Sequence, residues 1–303
     1  MSQHRFSGVL APVITPYNAD LSPDAARLGN HCSWLVSQGA GLAVFGTNSE
    51  ANSLSIDEKS SLLEALIEAG IDTDKLMPGT GCCALSDSIT LTKKAVDLGC
   101  AGVLMLPPFY YKGVSDQGLF DFYANVIEAV ADDKLHIYLY HIPPISQIPL
   151  SLNLIEQLAA KYPDTIAGIK DSSGDWNQTQ AFHDLQIENF AVFCGSESFL
   201  LQNMVAGGAG CISATANVNP HAIFDLYYHW NEAGSAKKQS ALNSIREIFQ
   251  SFPMIPALKA ATAIYGDDAA WMRVRPPLTG LTDKQHATLA LKLKKAGFEM
   301  PDL

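Results

Sequence analysis

Apolar residues fall into eight short runs, at 9–14, 41–45, 75–78, 102–106, 136–140, 166–169, 190–193 and 210–212, with amphipathic stretches between them. The run Ala101-Gly102-Val103-Leu104-Met105-Leu106 is apolar throughout and does not alternate. That pattern predicts parallel strands buried on both faces rather than half-exposed ones. Between the runs lie helix signals. Ser22-Pro23-Asp24 predicts an N-cap followed by proline at the first helical position. Ser55-Ile56-Asp57-Glu58 predicts a capping box ahead of Leu62, Leu63, Leu66 and Ile67, and Thr282-Asp283-Lys284-Gln285 predicts another. Repeated β/α alternation predicts an α/β chain folded as a (β/α)8 TIM barrel. An open doubly wound sheet is the runner-up, but no G-x-G-x-x-G follows the first run. Helical patterning continues through 240–248, 255–265 and 284–295, beyond what a closed barrel needs. The expected organisation is a catalytic barrel at 1–230 and a C-terminal helical extension at 231–303, packed on the barrel or on a partner subunit.

Composition narrows the partners. The chain has 303 residues, 48% of them hydrophobic, enough for a large core. Its formal net charge of −11 and lack of a basic stripe exclude a nucleic-acid-binding surface. No apolar run reaches transmembrane length, and Met1-Ser2-Gln3-His4-Arg5 has no signal-peptide architecture. Cys32, Cys82, Cys83, Cys100, Cys194 and Cys211 form no C-x-x-C pair. Reduced thiols, mostly buried, and a cytoplasmic location are expected. His183, His221 and His229 lack metal-type spacing, so no metal is expected.

The chemistry gathers where the runs end. Ile166-Ala167-Gly168-Ile169-Lys170-Asp171 is an apolar run that closes on one lysine. Burying an ammonium is costly, and desolvation favours the free amine, the form that attacks keto acids to give Schiff bases. The alternative is a lysine that snorkels from a strand end. In a (β/α)8 barrel, catalytic groups collect at the carboxyl ends of the strands. Those ends carry Gly46-Thr47-Asn48-Ser49-Glu50, Pro107-Pro108-Phe109-Tyr110-Tyr111, Tyr140-His141-Ile142-Pro143, Lys170, Cys194-Gly195-Ser196-Glu197 and Ile212-Ser213-Ala214-Thr215. One amine, several tyrosine hydroxyls, a threonine hydroxyl and loop amides would then face one mouth. Those are the parts that imine chemistry on an α-keto acid requires. Gly207-Gly208-Ala209-Gly210 precedes the eighth run and predicts a tight turn rather than a phosphate loop.

In order and spacing, Gly46-Thr47-Asn48-Ser49-Glu50, Pro108-Phe109-Tyr110-Tyr111, Tyr140-His141-Ile142-Pro143 and Gly168-Ile169-Lys170-Asp171 resemble the dihydrodipicolinate synthase / N-acetylneuraminate lyase family of pyruvate-dependent class I aldolases. The resemblance runs from Gly8 to about Leu278. It implies that Lys170 is the Schiff-base lysine, Tyr140 the proton-shuttling tyrosine and Thr47 the hydroxyl between two tyrosines. It implies that Tyr111 is the second tyrosine, reaching a neighbouring subunit's site. Amides of Thr47 and Asn48 would hold the pyruvate carboxylate, and the backbone at Gly195 and Ile212 would line the site. It further implies a homotetramer built as a dimer of dimers, and no cofactor beyond the lysine–pyruvate imine. Tyr110 is expected to be interface packing, Asp171 and Ser172 to cap the next helix, and His141 to be either a core histidine or a polar group of the pocket.

Three departures bear on the second substrate. Ile145 stands where dihydrodipicolinate synthases carry a carboxylate-binding arginine, and it cannot make that bidentate pair. Ile56 and Lys59 occupy the places of the histidines of the lysine-feedback site. Ser198 replaces the acidic residue by which neuraminate lyases hold sugar hydroxyls, with Glu197 one position earlier, and Asn48-Ser49 alters the carboxylate loop. The expected reaction is aldol cleavage or condensation of pyruvate with an aldehyde, on a 2-keto-3-deoxy sugar acid or a related hydroxy-keto acid. A dehydratase using the same lysine, a true 4-hydroxy-tetrahydrodipicolinate synthase, a metal-dependent aldolase and a non-catalytic keto-acid-binding barrel are the alternatives.

Overall fold

The computed structural model describes residues 5–303; Met1 to His4, within the segment that bears on a signal peptide, lie outside the described residues. Seven parallel strands form one sheet: β1 (Gly8–Ala11), β2 (Gly41–Leu42), β3 (Val103–Met105), β4 (Ile137–His141), β5 (Ile166–Asp171), β6 (Ala191–Cys194) and β7 (Gly210–Ile212). Their order is β2-β1-β7-β6-β5-β4-β3. Every residue of β4 and β5 is buried, as continuous apolar runs between two covered faces should be.

The predicted run at 75–78 forms no strand of its own. Its neighbourhood makes isolated parallel bridges to both edges of the sheet, Leu42↔Leu76 and Gly79↔Leu104. The Met77 and Gly79 N–H groups donate to the carbonyls of Leu42 and Val44 at 2.8 and 2.7 Å, and Leu104 N–H donates to Pro78 at 2.9 Å. Pro78 has no N–H to offer, which interrupts the ladder here. Gly79 is obligatory at this seam, because a Cβ would sit 2.2 Å from the Phe45 carbonyl oxygen.

Side chains alternate between two cores. Leu10, Ala43, Met77, Leu104, Tyr138, Tyr140, Phe193 and Ile212 pack together inside the curled sheet. Val9, Leu42, Val103, Ile137, Leu139, Ile169 and Val192 face the helices outside it. One irregularity matters for the site. The register slips between Ile137↔Ile166 and Tyr138↔Gly168, so β5 carries an extra residue at Ala167. After that bulge Lys170 pairs with Tyr140 and with Phe193, and so shares the inner face with both. Asp171 pairs with His141 on the other face.

The helices begin close to their predicted signals. Ser55–Glu58 and Thr282–Gln285 are capping boxes for Ile56–Glu68 and Asp283–Lys295. The first helix starts at Ala25, two residues beyond the predicted N1 proline. Asp24 is its N-cap and accepts the Arg27 N–H, and Pro23 lies outside. The C-terminal helices Ser235–Gln250, Met254–Tyr265 and Asp283–Lys295 place Leu242, Phe249, Leu258, Leu289 and Leu293 in the outer core. The helices after residue 230 therefore share the outer core of the curled sheet.

Candidate active site

A cavity of about 480 Å³ opens where β4, β5, β6 and β7 end. Lys170 reaches it from β5 with only 2% of its surface exposed. Its Nζ lies 4.1 Å from the centre of the Tyr140 ring. Among the described residues no carboxylate pairs with that nitrogen and no acceptor takes its hydrogens. A lysine that only stabilised the fold at this depth would need such a partner. The Tyr140 hydroxyl is 3.2 Å from Thr47 Oγ1, so a proton-bearing pair stands beside the amine.

Thr47 and Asn48 open a one-turn 3-10 helix, Thr47–Ser49, separated by four residues from the end of β2. The first N–H groups of such a turn have no acceptor within it. The turn is built by left-handed backbone on both sides, with φ of 61° at Phe45 and 57° at Glu50. Non-glycine residues adopt that conformation at a cost of about 1–3 kcal/mol when the surroundings impose it. The surroundings here are a buried ion pair. The Glu50 carboxylate accepts from Lys259 Nζ, and both side chains are wholly buried. Lys259 also donates to the Arg273 carbonyl at 2.7 Å, and Glu50 accepts the Arg275 N–H at 2.8 Å. Burial pulls the Lys259 ammonium down to about 8, against the opposing charge of Glu50.

Gly195 approaches the same mouth from β6. Its N–H donates to the Asp171 carbonyl at 2.6 Å, and a Cβ at this position would fall 2.1 Å from Ser172 Oγ. Asp171 is saturated by Ser173 N–H (2.9 Å), Ser173 Oγ (2.9 Å) and Thr179 Oγ1 (2.6 Å). Its carboxylate ties the turn after β5 to helix Trp176–Asp184. The cap itself is Asp175.

Thus Lys170, Tyr140, Thr47, Asn48, Gly195 and Ile145 surround one cavity. Three other anticipated residues stand elsewhere. His141 follows Tyr140 by one residue, so strand alternation turns it to the outer face. There it is 3% exposed, packs edge-on to Phe182 and accepts the Leu150 N–H at 3.1 Å through Nδ1. Burial holds its imidazole below the usual histidine range, with Asp171 opposing. Ile212 is fully buried in the inner core and is not among the cavity's lining residues. Ala214, two residues on, takes that place. Tyr111 is 74% exposed, its ring packed at right angles to that of Tyr110, 5.3 Å away. Within one chain it does not reach Lys170.

The far wall comes from residues that sequence reasoning did not single out. Phe199, Arg246, Gln250 and Met254 line it. Only Glu197 gave a signal, as an acidic residue after an apolar run. It is 1% exposed and receives the hydroxyls of Ser213 and Thr215 and the Arg246 guanidinium, Nη1 to Oε2 at 3.1 Å. Among the described residues no group of three or more histidine, cysteine or acidic side chains is placed to hold a metal ion.

The dihydrodipicolinate synthetase family model matches residues 5–296. The chain belongs to that family. A relative from Chloroflexus aurantiacus named as an uncharacterized DapA-like lyase is 31% identical over 287 residues, covering 93% of this chain and 94% of the relative. A 4-hydroxy-tetrahydrodipicolinate synthase from Desulforamulus reducens is 31% identical over 294 residues, with 95% and 97% covered. Among solved structures, the family member YagE from E. coli in complex with pyruvate superimposes with a TM-score of 0.88 at 25% identity, covering 97% of this chain and 99% of that one. No helix among the described residues is long and apolar enough to cross a membrane.

Proposed function

We propose that this family member is a class I lyase in which Lys170 forms a Schiff base with pyruvate or a related 2-keto acid. The observation that carries this reading is a buried lysine, without an ionic partner, opening into a cavity beside a tyrosine–threonine hydroxyl pair. In the proposed reaction the Lys170 amine adds to the keto carbon. Tyr140 hands a proton to the developing alkoxide, and water leaves to give the iminium. The Thr47 hydroxyl receives and returns the proton that Tyr140 carries. Amides of Thr47 and Asn48 hold the carboxylate, and the iminium draws electrons from the adjacent carbon. Loss of a C3 proton gives an enamine. The enamine attacks an aldehyde in condensation, and cleavage is the reverse. The imine serves as the electron sink, so the step calls for no metal or further cofactor.

The structural likeness to a pyruvate complex supports the keto acid, and Ile145 at the cavity edge disfavours true dihydrodipicolinate synthesis. The isolated bridges at Leu76 and Gly79, to β2 and β3, support a sheet that closes into a barrel through this segment without a regular eighth strand. Exposure of Tyr110 and Tyr111 on the loop after β3 supports an assembly in which Tyr111 completes a partner's site, within a cytoplasmic homotetramer. The decisive test is borohydride reduction with pyruvate, read by intact mass and peptide mapping. An adduct on Lys170 that is absent from folded Lys170→Ala is the expected result. A folded protein that traps no keto acid at Lys170 refutes the reading.

A further inference from the structure

The lining of the cavity carries a second cationic group. Among the described residues lining the cavity, Lys170 and Arg246 are the only lysine or arginine side chains. Arg246 lies on helix Ser235–Gln250, and its side chain is 11% exposed. That helix is fastened to the loop after β6. Gln239 Nε2 donates to the Glu197 carbonyl at 2.9 Å, and Gln239 Oε1 accepts the Leu201 N–H at 2.9 Å.

A guanidinium offers five N–H donors in a rigid plane. Nη1 of Arg246 spends its donors on Glu197 Oε2 and Ser213 Oγ, both at 3.1 Å. Nη2 has no partner among the described residues, and Nε is buried without one. Glu197 does not exhaust the group, because its two oxygens are also met by the hydroxyls of Ser213 and Thr215. The arrangement therefore does more than neutralise a buried carboxylate. It holds a guanidinium still at the cavity wall with donors left over. Where the resemblance to dihydrodipicolinate synthases places an anion-binding arginine, this chain has the apolar Ile145.

We propose that Arg246 binds a carboxylate on the second reactant, so that the preferred acceptor is an aldehyde acid and the cleaved substrate a 4-hydroxy-2-keto diacid. This rests on the Schiff-base reading above. In the condensation a C–C bond forms between pyruvate C3 and the aldehyde carbon. The C3 proton is balanced by the proton gained at the new hydroxyl, and nothing is oxidised or reduced. One guanidinium, part of whose charge is already met by Glu197, matches a single carboxylate charge better than a phosphate dianion.

The test begins on the wild-type protein with borohydride and pyruvate. Condensation is then followed with aldehyde acids of two to five carbons, with neutral aldehydes of matching length, and with glyceraldehyde 3-phosphate. The best aldehyde acid should exceed its neutral counterpart in kcat/KM by roughly tenfold to a hundredfold, the range of a charge-assisted contact. In the double variant Arg246→Gln with Glu197→Gln, which leaves no lone buried charge, that ratio should fall to near one. Arg246→Lys should retain part of it. The ratio is independent of the active fraction, so partial misfolding does not blur it, and the wild-type ratio alone decides if neither variant folds. A wild-type ratio near one, a ratio unchanged in the double variant, or a preference for the phosphate overturns the assignment while the Lys170 adduct stands. Absence of the adduct overturns the Schiff-base reading and this assignment together.

Discussion

Replacing Lys259 by methionine isolates what holds the turn Thr47–Ser49. Methionine keeps the length and apolar stem of lysine and removes only the charge and its donors. In the native chain both Lys259 and Glu50 side chains are wholly buried, so the variant leaves a carboxylate with no counterion in the core. Removing one partner of a buried pair costs about 3–5 kcal/mol. The unfolding entropy of a chain of 303 residues is about 640 cal/mol/K, so the loss corresponds to a fall in Tm of roughly 5–8 °C. Scanning calorimetry measures it. Combining Lys259→Met with Glu50→Gln removes the stranded charge. The neutral amide can still accept the Arg275 N–H that Glu50 accepts at 2.8 Å. The double variant should therefore be more stable than Lys259→Met alone. The KM for pyruvate should rise in the single variant, because Glu50 ends the turn that carries Thr47 and Asn48. A Lys259→Met protein melting within about 1 °C of wild type, or a strictly additive double variant, refutes the reasoning.

Two further perturbations reach other parts of the molecule. Thr47→Val removes the hydroxyl 3.2 Å from Tyr140 at nearly constant volume. It should lower kcat about 10- to 100-fold while pyruvate is still trapped on Lys170, and an unchanged kcat removes Thr47 from the proton path. His31 is buried between Trp34 and Trp271, neither ring nitrogen makes a well-formed hydrogen bond, and burial depresses its imidazole from 6.5 to about 3, with Asn217 opposing. Above pH 6.5 both folded and unfolded states hold it neutral. As pH falls from 6.5 toward 3 the unfolded state takes the proton first, so stability is lost across that window. Urea unfolding of wild type against His31→Phe should show wild type losing about 2 kcal/mol more between pH 6.5 and 4.5, and parallel curves refute the assignment.

Lys170 was legible as a candidate nucleophile because its signal is local: a polar residue closing an apolar run, with turn residues after it. Seven of the eight runs became strands for the same reason. The eighth failed to form a ladder because Pro78 lacks a donor and the seam narrows to admit only Gly79. Of the two readings open for His141, core histidine or pocket group, the structure has the first, and its parity with Tyr140 already pointed to the outer face. Arg246 was illegible because nothing within its own helix distinguishes it. Its role arises from Glu197 and Ser213, 49 and 33 residues away in sequence. The bulge at Ala167, which gives Lys170 and Tyr140 the same face, was equally silent, since register belongs to a pair of strands and not to either one.

The fastening of helix Ser235–Gln250 to the loop after β6 divides the cavity into a constant side and a variable side. The lysine, its tyrosine and the loop amides are set by strand pairing and buried charge, and any shift there disturbs the whole sheet. Of the remaining lining residues, Arg246 and Gln250 stand on one helix held through Gln239 and Arg246. Its exposed residues are free to change without touching a strand. A lineage, or a designer, can thus redraw part of the cavity lining by rewriting one helix face while the strands that carry Lys170 and Tyr140 are kept.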